Sequence, residues 1–259
     1  MMQRAMKPLS FFFLATMLAP LLVGAAQHPV EIHDQITPQL EPNKMVALTL
    51  DACSGKYDDD LINFLIQNRI PATIFATKKW LDRNPSGLSV IKAHLALFDV
   101  EDHGEKHIPA VIGAGRKVYG IPGEPDVIHL RREVIEGARA VEDAIGIAPH
   151  WYRGATAEYD ARAIKEIDKL GYKIAGFSVN ADSGATLKKV AIEKKLEHVK
   201  GGDVIIAHMN KPASESAEGL SVGLAHLLKE GFTFVRLDQV DLREMPKKVD
   251  TNSPRRTDR

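Results

Sequence analysis

Cysteine and an excess of charge of one sign are what this sequence most lacks. Cys53 is the single cysteine among 259 residues, so no disulfide can form within the chain. Lys plus Arg and Asp plus Glu both number 34, which gives a formal net charge of zero. Without a basic excess the sequence predicts no nucleic-acid partner. Because no disulfide supports it, the chain must depend on an extensive hydrophobic core, and its length suffices for one large domain.

Long hydrophobic runs are also scarce, and the longest lies at the N-terminus. Residues 9–24 are apolar, follow Arg4 and Lys7, and precede a short stretch of small residues. This order is typical of a secretory signal peptide that is cleaved near Ala26. The alternative is an uncleaved membrane anchor, but Pro20 and the modest length of the run favour cleavage. The sequence therefore predicts a periplasmic or secreted protein with no stable membrane insertion after cleavage.

The chain is predicted to divide into a signal peptide (1–26), a polar linker (27–43), one folded domain (44–243) and a polar tail (244–259). Within the domain, apolar β-prone segments alternate with segments of helical periodicity. The seven predicted strands are MVALTLDA, ATIFAT, FDVED, HWYRG, KIAGFSV, DVIIAHM and FTFVRL. Such alternation predicts a parallel α/β sheet, either closed as a barrel or open and doubly wound. A long loop rich in Gly and Pro, residues 108–127, is a candidate for substrate contact.

Several predicted strands end in polar residues that can carry chemistry. In parallel α/β sheets the active site forms at the carboxyl ends of the strands, where residues distant in sequence converge. We therefore expect one site at this end of the sheet. Its candidate residues are Asp51, Asp102, His103, Arg153, Asn180, Asp182 and His208.

His103 and His107 form the clearest candidate metal pair. They stand four residues apart, and this spacing lets two imidazoles face one ion if the backbone turns helically. The alternative is a pair of solvated loop histidines. The position of His103 at a strand end, followed by Gly104, which permits a tight turn, favours metal binding.

Five short motifs, in order, resemble those of the polysaccharide deacetylases of the NodB-homology type, carbohydrate esterase family 4. LTLDAC is similar to the strand that ends in two aspartates in that family, and HGEKHIP to its histidine pair followed by proline. WYRGAT lies at the position of the Arg-Pro-Pro-Tyr motif, VNAD at the fourth motif, and IIAHMN at the final Leu-x-His. The resemblance extends from Val46 to Leu237, and the first, second and fifth motifs are specific in combination.

The resemblance implies a deformed (β/α) barrel of about seven repeats and a divalent metal ion, with zinc expected first and cobalt or nickel as alternatives. It also implies a hydrolase that removes acetyl groups from N-acetylated sugars of a cell-envelope polysaccharide or peptidoglycan. His103 and His107 would be metal ligands. The oligomeric state is left open.

The same resemblance assigns roles to four further residues. Asp51 would be the general base, and Arg153 would orient it and pair with its charge. His208 would be the general acid, held by Asp182. Each of the four also has a structural interpretation: Asp51 as a cap of the following segment, Arg153 as a surface ion-pair partner, Asp182 as a turn residue and His208 as a core histidine. Cys53, likewise, is interpreted structurally as a small apolar filler.

The sequence departs from the family pattern at Ala52, which occupies the position of the second aspartate, normally the third metal ligand. We expect Asp51 itself to bind the metal, and so to be both ligand and base. The alternatives are that Asp102, Glu105 or Cys53 completes the site, or that the metal is held poorly, since catalytic zinc usually has three protein ligands. Loss of this carboxylate also raises a second hypothesis, a non-catalytic glycan-binding protein on a deacetylase scaffold. A third is a hydrolase of another amide.

The third motif also departs from the pattern. Gly154, Ala155 and Thr156 replace Pro-Pro-Tyr. Backbone N–H groups survive such changes, so an oxyanion-binding amide remains a prediction. The aromatic contact would be lost unless Tyr159 replaces it.

Overall fold

The structure is a computed structural model in which residues 28–38 and 44–245 are described. The predicted signal peptide, and all but the first two residues of the predicted tail, lie outside these ranges. Among the described residues, no helix combines the length and the apolar character that crossing a membrane requires.

The described residues form fifteen short strands. The first eight are β1 (Val30–Glu31), β2 (Asp34–Ile36), β3 (Met45–Ala52), β4 (Ala72–Ala76), β5 (Phe98–Asp102), β6 (Pro109–Ala110), β7 (Lys117–Val118) and β8 (Ile121–Pro122). The other seven are β9 (Trp151–Tyr152), β10 (Ala155–Tyr159), β11 (Lys173–Ile174), β12 (Val179–Asn180), β13 (Val204–His208), β14 (Thr233–Val235) and β15 (Leu242–Glu244).

The main sheet is parallel, with the order β11-β9-β5-β4-β3-β13-β12, and β14 also pairs with β3. The predicted deformed (β/α) barrel is confirmed. Each predicted strand segment contributes to the sheet, but KIAGFSV contributes two strands, β11 and β12, which lie at opposite edges. Only residues 175–178 join these edges, and the five residue steps from Ile174 to Val179 span at most about 18 Å, so the sheet must curl round on itself.

The N-terminal segment covers the gap between the two edges. Asp34 N donates to Phe177 O and Phe177 N donates to Ile32 O, both over 3.3 Å, and Gly176 N donates to Asp34 Oδ2 over 2.9 Å. In addition β1 pairs with β10, and β2 with β15. Part of the predicted linker, residues 27–43, therefore belongs to the folded domain. The prediction differs because the segment is polar, and its strands depend on distant partners rather than on a local pattern.

Seven α-helices within the described residues cover the outside of the sheet. They are α1 (Asp59–Gln67), α2 (Lys78–Arg83), α3 (Pro85–Lys92), α4 (Val127–Ile145), α5 (Ala161–Lys169), α6 (Lys189–Leu196) and α7 (Ser216–Lys229). Helix α4 ends at Gly146, whose φ of 85° gives the left-handed cap that glycine favours. The six-residue helix α2, capped by the Thr77 side chain, was not predicted because it is too short to show a periodic pattern.

Strand β3 explains how the fold delivers a carboxylate to the site. Leu48, Leu50 and Ala52 pack into the core between the sheet and the helices, and all are fully buried. Thr49 and Asp51 alternate with them, so they lie on the opposite face, inside the curled sheet. The two adjacent positions 51 and 52 therefore have different environments, with the polar side chain on the inner face.

Candidate active site

A cavity of about 460 Å³ lies at the carboxyl ends of the parallel strands. Asp51, Asn180 and His208, which line it, stand at the ends of β3, β12 and β13. Its other lining residues come from loops and from strands β1, β10 and β13: Glu31, Cys53, Ser54, His107, Tyr119, Thr156, Ala157, Phe177, Ser183, Gly184, Ile206, Asn210 and Lys211. The structure thus brings residues from seven segments of the chain to one cavity.

Asp51 forms an ion pair with Arg153 inside the curled sheet. Arg153 Nη1 donates to Asp51 Oδ1 over 2.9 Å and to Thr49 Oγ1 over 2.8 Å. Asp51 is 4% exposed and Arg153 is fully buried. The remaining guanidinium nitrogens donate to the carbonyls of Ala175 and Gly176, over 3.2 and 3.3 Å. Arg153 is therefore held by four partners, and its position fixes one oxygen of Asp51.

Two opposing effects set the protonation state of Asp51. Burial raises the pKa of this carboxyl, but the charges of Arg153, His103 and His208 and the hydrogen bond from Arg153 outweigh burial. The net pKa of Asp51 lies below its ordinary value, so the carboxylate stays ionised at neutral pH.

His208 is held by Asp182 on the other side of the cavity. His208 Nδ1 lies 2.9 Å from Asp182 Oδ1, and His208 N donates to Asp182 Oδ2 over 2.9 Å. Ser216 Oγ also donates to Asp182 Oδ2, over 3.0 Å, a supporting contact that the sequence does not reveal. Burial lowers the pKa of His208, but the hydrogen bond and charge of Asp182 raise it well above the ordinary value. The pair therefore favours an imidazolium in contact with the cavity.

Cys53, His103 and His107 bring three possible ligand atoms together. These atoms lie within 4.8 Å of one another, and Cys53 Sγ is 3.5 Å from His103 Nε2. The two imidazole rings meet edge to face with their centroids 4.8 Å apart. His103 Nδ1 donates to the carbonyl of Arg153 over 2.5 Å. Because a carbonyl only accepts, Nδ1 carries a proton, and Nε2 is the ring nitrogen that faces the thiol.

The charges around this trio act on one another. Burial lowers the pKa of His103, but Asp51 and Cys53 raise it, to about 9. Burial raises the pKa of the Cys53 thiol, but hydrogen bonds with His103, His107 and His208 bring it well below its ordinary value. A thiol in this position is therefore disposed to ionise.

The loop that carries the two histidines is tied to helix α4. The carboxylate of Glu133 accepts hydrogen bonds from the backbone N–H groups of Lys106, at 2.8 and 3.0 Å, and of Ile108, at 3.1 Å. His107 has a φ of 65°, in the left-handed region that non-glycine residues rarely adopt. The buried carboxylate of Glu133 therefore supports an unusual backbone, and sequence reasoning did not identify it.

The other carboxylates considered as ligands have partners elsewhere. Asp102 is fully buried and accepts a hydrogen bond from Gly104 N over 2.7 Å. Close to it lies Gly137 of helix α4, where an added Cβ would stand 2.3 Å from Asp102 Oδ1. Glu105 lies 3.4 Å from Lys106 Nζ and 3.6 Å from Arg132 Nε. Neither residue lines the cavity.

Near the third motif, the predicted replacement aromatic is not at the cavity. Tyr159 is 1% exposed, packs in the core, and accepts a hydrogen bond from Gly154 N over 2.8 Å. The Gly154 amide is therefore not free to bind an oxyanion. Tyr119, at the turn between β7 and β8, lines the cavity instead and is 77% exposed. It lies in the predicted substrate loop, residues 108–127, but was not singled out from the sequence.

Comparison with known proteins gives a family match. A family profile described as polysaccharide deacetylase matches residues 39–175, more than half of the chain. This range contains Asp51, His103, His107 and Arg153. No curated protein matches the chain significantly.

Solved structures with the same fold include several from carbohydrate esterase family 4. A CE4 family pseudoenzyme from Bacillus anthracis is 16% identical with a TM-score of 0.61, and the match covers 78% of this chain and 66% of that chain. The Bc1960 peptidoglycan N-acetylglucosamine deacetylase is 19% identical with a TM-score of 0.65, covering 80% and 90%. A family 4 carbohydrate esterase from Bacillus subtilis is 19% identical with a TM-score of 0.60, covering 76% and 80%.

Proposed function

Because this chain belongs to the polysaccharide deacetylase family, we propose that it is an exported, metal-dependent hydrolase that removes acetyl groups from N-acetylated sugars of a cell-envelope polysaccharide or peptidoglycan. The observation that carries the proposal is the placement of a buried carboxylate, Asp51, and a carboxylate-paired histidine, His208, at one open cavity. The signal-like pattern of the first 26 residues supports export.

The donor atoms beside Asp51 fit a zinc-like ion. Catalytic zinc sites use imidazole, thiolate and carboxylate ligands and keep one position open, and here the imidazole of His107 lines the cavity with the buried imidazole of His103 beside it. A divalent ion held by these histidines would polarise the acetyl carbonyl and lower the pKa of an attacking water.

Asp51 supplies the general base of the proposed reaction. Its Oδ1 is bound to Arg153. Its Oδ2 lies 3.7 Å from His103 Nε2 and is not the oxygen that pairs with Arg153. In our mechanism Oδ2 accepts the proton of the water that attacks the acetyl carbonyl. Arg153 keeps the carboxylate ionised and fixes its orientation, and both are requirements of an effective base.

His208 supplies the general acid. The amide C–N bond breaks readily only if the departing nitrogen receives a proton, and an imidazolium supported by Asp182 holds one. In our mechanism His208 transfers this proton to the sugar nitrogen, so that acetate and a free amine are the products. Asp182 acts through His208 and is therefore a positioning residue.

Release of acetate from N-acetylated glycans tests the proposal. Purified, zinc-loaded protein should produce acetate and free amines from chitin or peptidoglycan oligosaccharides, and a chelator should abolish this. Replacement of Asp51→Asn or His208→Ala should lower kcat by about 10²- to 10⁴-fold, the usual contribution of a general base or acid. Ser54→Ala, at the cavity wall, is the matched control and should retain activity. Full activity in the Asp51→Asn protein would refute the mechanism.

A second candidate function is glycan binding without catalysis. Ala52 lies fully buried in the core, at the position where the family motif has a metal-binding aspartate. One structure with this fold is a CE4 family pseudoenzyme, so the scaffold exists without activity. Metal-loaded protein that retains cell-wall glycan but releases no acetate would favour this function. Turnover of other N-acyl amides, but not of glycans, would favour the third hypothesis.

A further inference from the structure

We propose that Cys53 is the third protein ligand of the metal site, which is a Cys-His-His site formed with His103 and His107. The inference rests on the proposed function and deepens it, because it names the ligand that replaces the missing carboxylate and the class of ion that is bound. It also leaves Asp51 free to act as a base instead of serving as a ligand.

The distance between sulfur and nitrogen supports this ligand set. Zinc binds thiolate at about 2.3 Å and imidazole at about 2.0–2.1 Å, so a tetrahedral site separates the two ligand atoms by about 3.5 Å. Cys53 Sγ and His103 Nε2 are 3.5 Å apart. All three ligand atoms lie within 4.8 Å of one another. Among the residues that the structure describes, these three form the group of histidine, cysteine and acidic side chains whose ligand atoms are that close together.

Asp51 does not belong to this group of three atoms. Its Oδ1 is occupied by Arg153, which is itself bound to Thr49. Its other oxygen, Oδ2, lies 3.7 Å from His103 Nε2 but does not join the three ligand atoms in one group, so it is left to act as the base.

The backbone holds Cys53 at the cavity before any ion binds. Thr77 accounts for two contacts with the end of strand β3: its N–H donates to Ala52 O over 3.2 Å, and its hydroxyl donates to Cys53 O. Two residues further on, a Cβ added at Gly55 would stand 1.8 Å from Asn210 O, so the loop is packed tightly against the segment that follows β13. A ligand in a fixed position loses little entropy when it binds an ion.

The chemistry of the donors indicates the class of ion. Thiolate and imidazole select zinc, cobalt and similar borderline ions, whereas magnesium, calcium and manganese prefer oxygen ligands. Cys53 and His107 line the cavity, so the ion would retain an open position toward a substrate. The interpretation of Cys53 as an apolar filler fits poorly, because its sulfur contacts an imidazole nitrogen and not the core clusters.

Cobalt spectroscopy tests the ligand directly, without reference to activity. The purified chain is freed of metal with a chelator and titrated with Co²⁺, and its absorption is recorded. We expect a near-ultraviolet sulfur-to-cobalt charge-transfer band. Cys53→Ser should lack the band and bind Co²⁺ at least about 100-fold more weakly, since loss of an outer-shell partner alone weakens metal binding about 10- to 100-fold. Ser54→Ala should keep both the band and the affinity.

The outcomes separate this inference from the proposed function. Bound Co²⁺ without the sulfur band, unchanged affinity in Cys53→Ser, or no Co²⁺ binding at all would overturn the inference. The native spectrum decides by itself if the variant fails to fold, which circular dichroism would reveal. The band together with no acetate release from glycans would leave Cys53 as a ligand and refute the deacetylase. If Cys53→Ser retains metal-dependent acetate release and the native protein shows no band, the deacetylase is supported and Cys53 is refuted as a ligand.

Discussion

Arg153 Nη1 lies 2.9 Å from Asp51 Oδ1, and the two side chains form an ion pair that is almost wholly buried. Removal of one partner from a buried pair leaves an uncompensated charge. We therefore expect Arg153→Met to lower the free energy of unfolding by about 3–5 kcal/mol. The loss should be measured by urea denaturation. In the same variant the pKa of Asp51 should rise, because the charge that lowers it is gone.

A double-mutant cycle separates the ion pair from the other contacts of Arg153. Asp51→Asn combined with Arg153→Met should cost less than the sum of the two single changes, with a coupling of about 1–3 kcal/mol, as for other contacting groups. Arg153→Lys is the charge-preserving control and should be intermediate, because it keeps the charge but not all four hydrogen bonds. Additive effects within about 0.5 kcal/mol would show that the two residues do not stabilise one another.

Asp182 is expected to set the pH at which His208 can act as an acid. Asp182 raises the pKa of His208, so His208 stays protonated to higher pH, and activity should fall as the pH rises through that pKa. Asp182→Asn removes the negative charge and lowers the pKa of His208. The alkaline limb of the pH dependence of kcat should therefore move to lower pH.

Ser216→Ala is the matched control for Asp182. It removes a hydroxyl that donates to Asp182 Oδ2 but leaves the carboxylate charge beside His208. The alkaline limb should then move much less than in Asp182→Asn. Equal shifts in the two variants, or no shift in Asp182→Asn, would argue that Asp182 does not tune His208.

Glu133 is expected to control metal affinity although it is no ligand. Its carboxylate binds the backbone of the loop that carries the two histidines, at Lys106 and Ile108. Glu133→Ala should free this loop and weaken Co²⁺ or Zn²⁺ binding by about 10- to 100-fold, the usual effect of losing an outer-shell partner. Glu136→Ala on the same helix, whose carboxylate pairs with Arg139, should leave the affinity unchanged. An unaltered affinity in Glu133→Ala would refute the role.

The sequence predicts the sheet well where each strand is specified locally. Strand β3 coincides with the apolar segment MVALTLDA, and the end of α4 coincides with Gly146. The segment KIAGFSV was predicted as one strand but forms two. Its centre, around Gly176, crosses the gap in the sheet and binds Asp34 of the N-terminal segment. That relationship joins residues far apart in sequence, and no local pattern encodes it.

In the candidate site, too, residues marked by a local pattern were predicted, and residues defined by distant partners were not. Polar residues at strand ends predicted Asp51, Arg153 and His208, which the structure brings to one cavity or its floor. Glu133 escaped notice because a glutamate within an amphipathic helix resembles a solvated residue. Its partners are backbone N–H groups of another loop, and these have no signature in the side-chain sequence.

Tyr119 is expected to contact the glycan at the rim of the cavity. Its ring is 77% exposed, and its hydroxyl donates to Glu158 Oε1 over 3.0 Å. An exposed aromatic ring beside a cavity offers an apolar face for a sugar. Tyr119→Ala should raise KM for long oligosaccharides by about 2- to 10-fold, the range that corresponds to one aromatic contact, and leave kcat unchanged. Tyr119→Phe keeps the ring and should retain most of the affinity, whereas an equal loss in both variants would assign the effect to the hydroxyl.

Glu101 is expected to make the stability of the protein depend on pH. Burial and the neighbouring charge of Asp99 raise the pKa of Glu101 from 4.5 to about 8. The folded state therefore binds a proton that the unfolded state releases, so stability is greatest below pH 4.5 for this group and is lost as the pH rises toward 8. The loss should be a few kcal/mol, since one pKa unit corresponds to about 1.4 kcal/mol. Urea denaturation between pH 5 and about 9 measures it.

Glu101→Gln removes this dependence without removing the hydrogen bonds. Glu101 Oε2 accepts from the N–H groups of His150 and Trp151, each over 2.8 Å, and a glutamine oxygen can accept both. The variant should be closest to the native protein near pH 5 and exceed its stability increasingly up to about pH 8, above which the difference should stay constant. Glu142→Gln, on the exposed face of α4, should show no such divergence. A constant difference between Glu101→Gln and the native protein over this range would mean that Glu101 is already ionised in the folded state at pH 5.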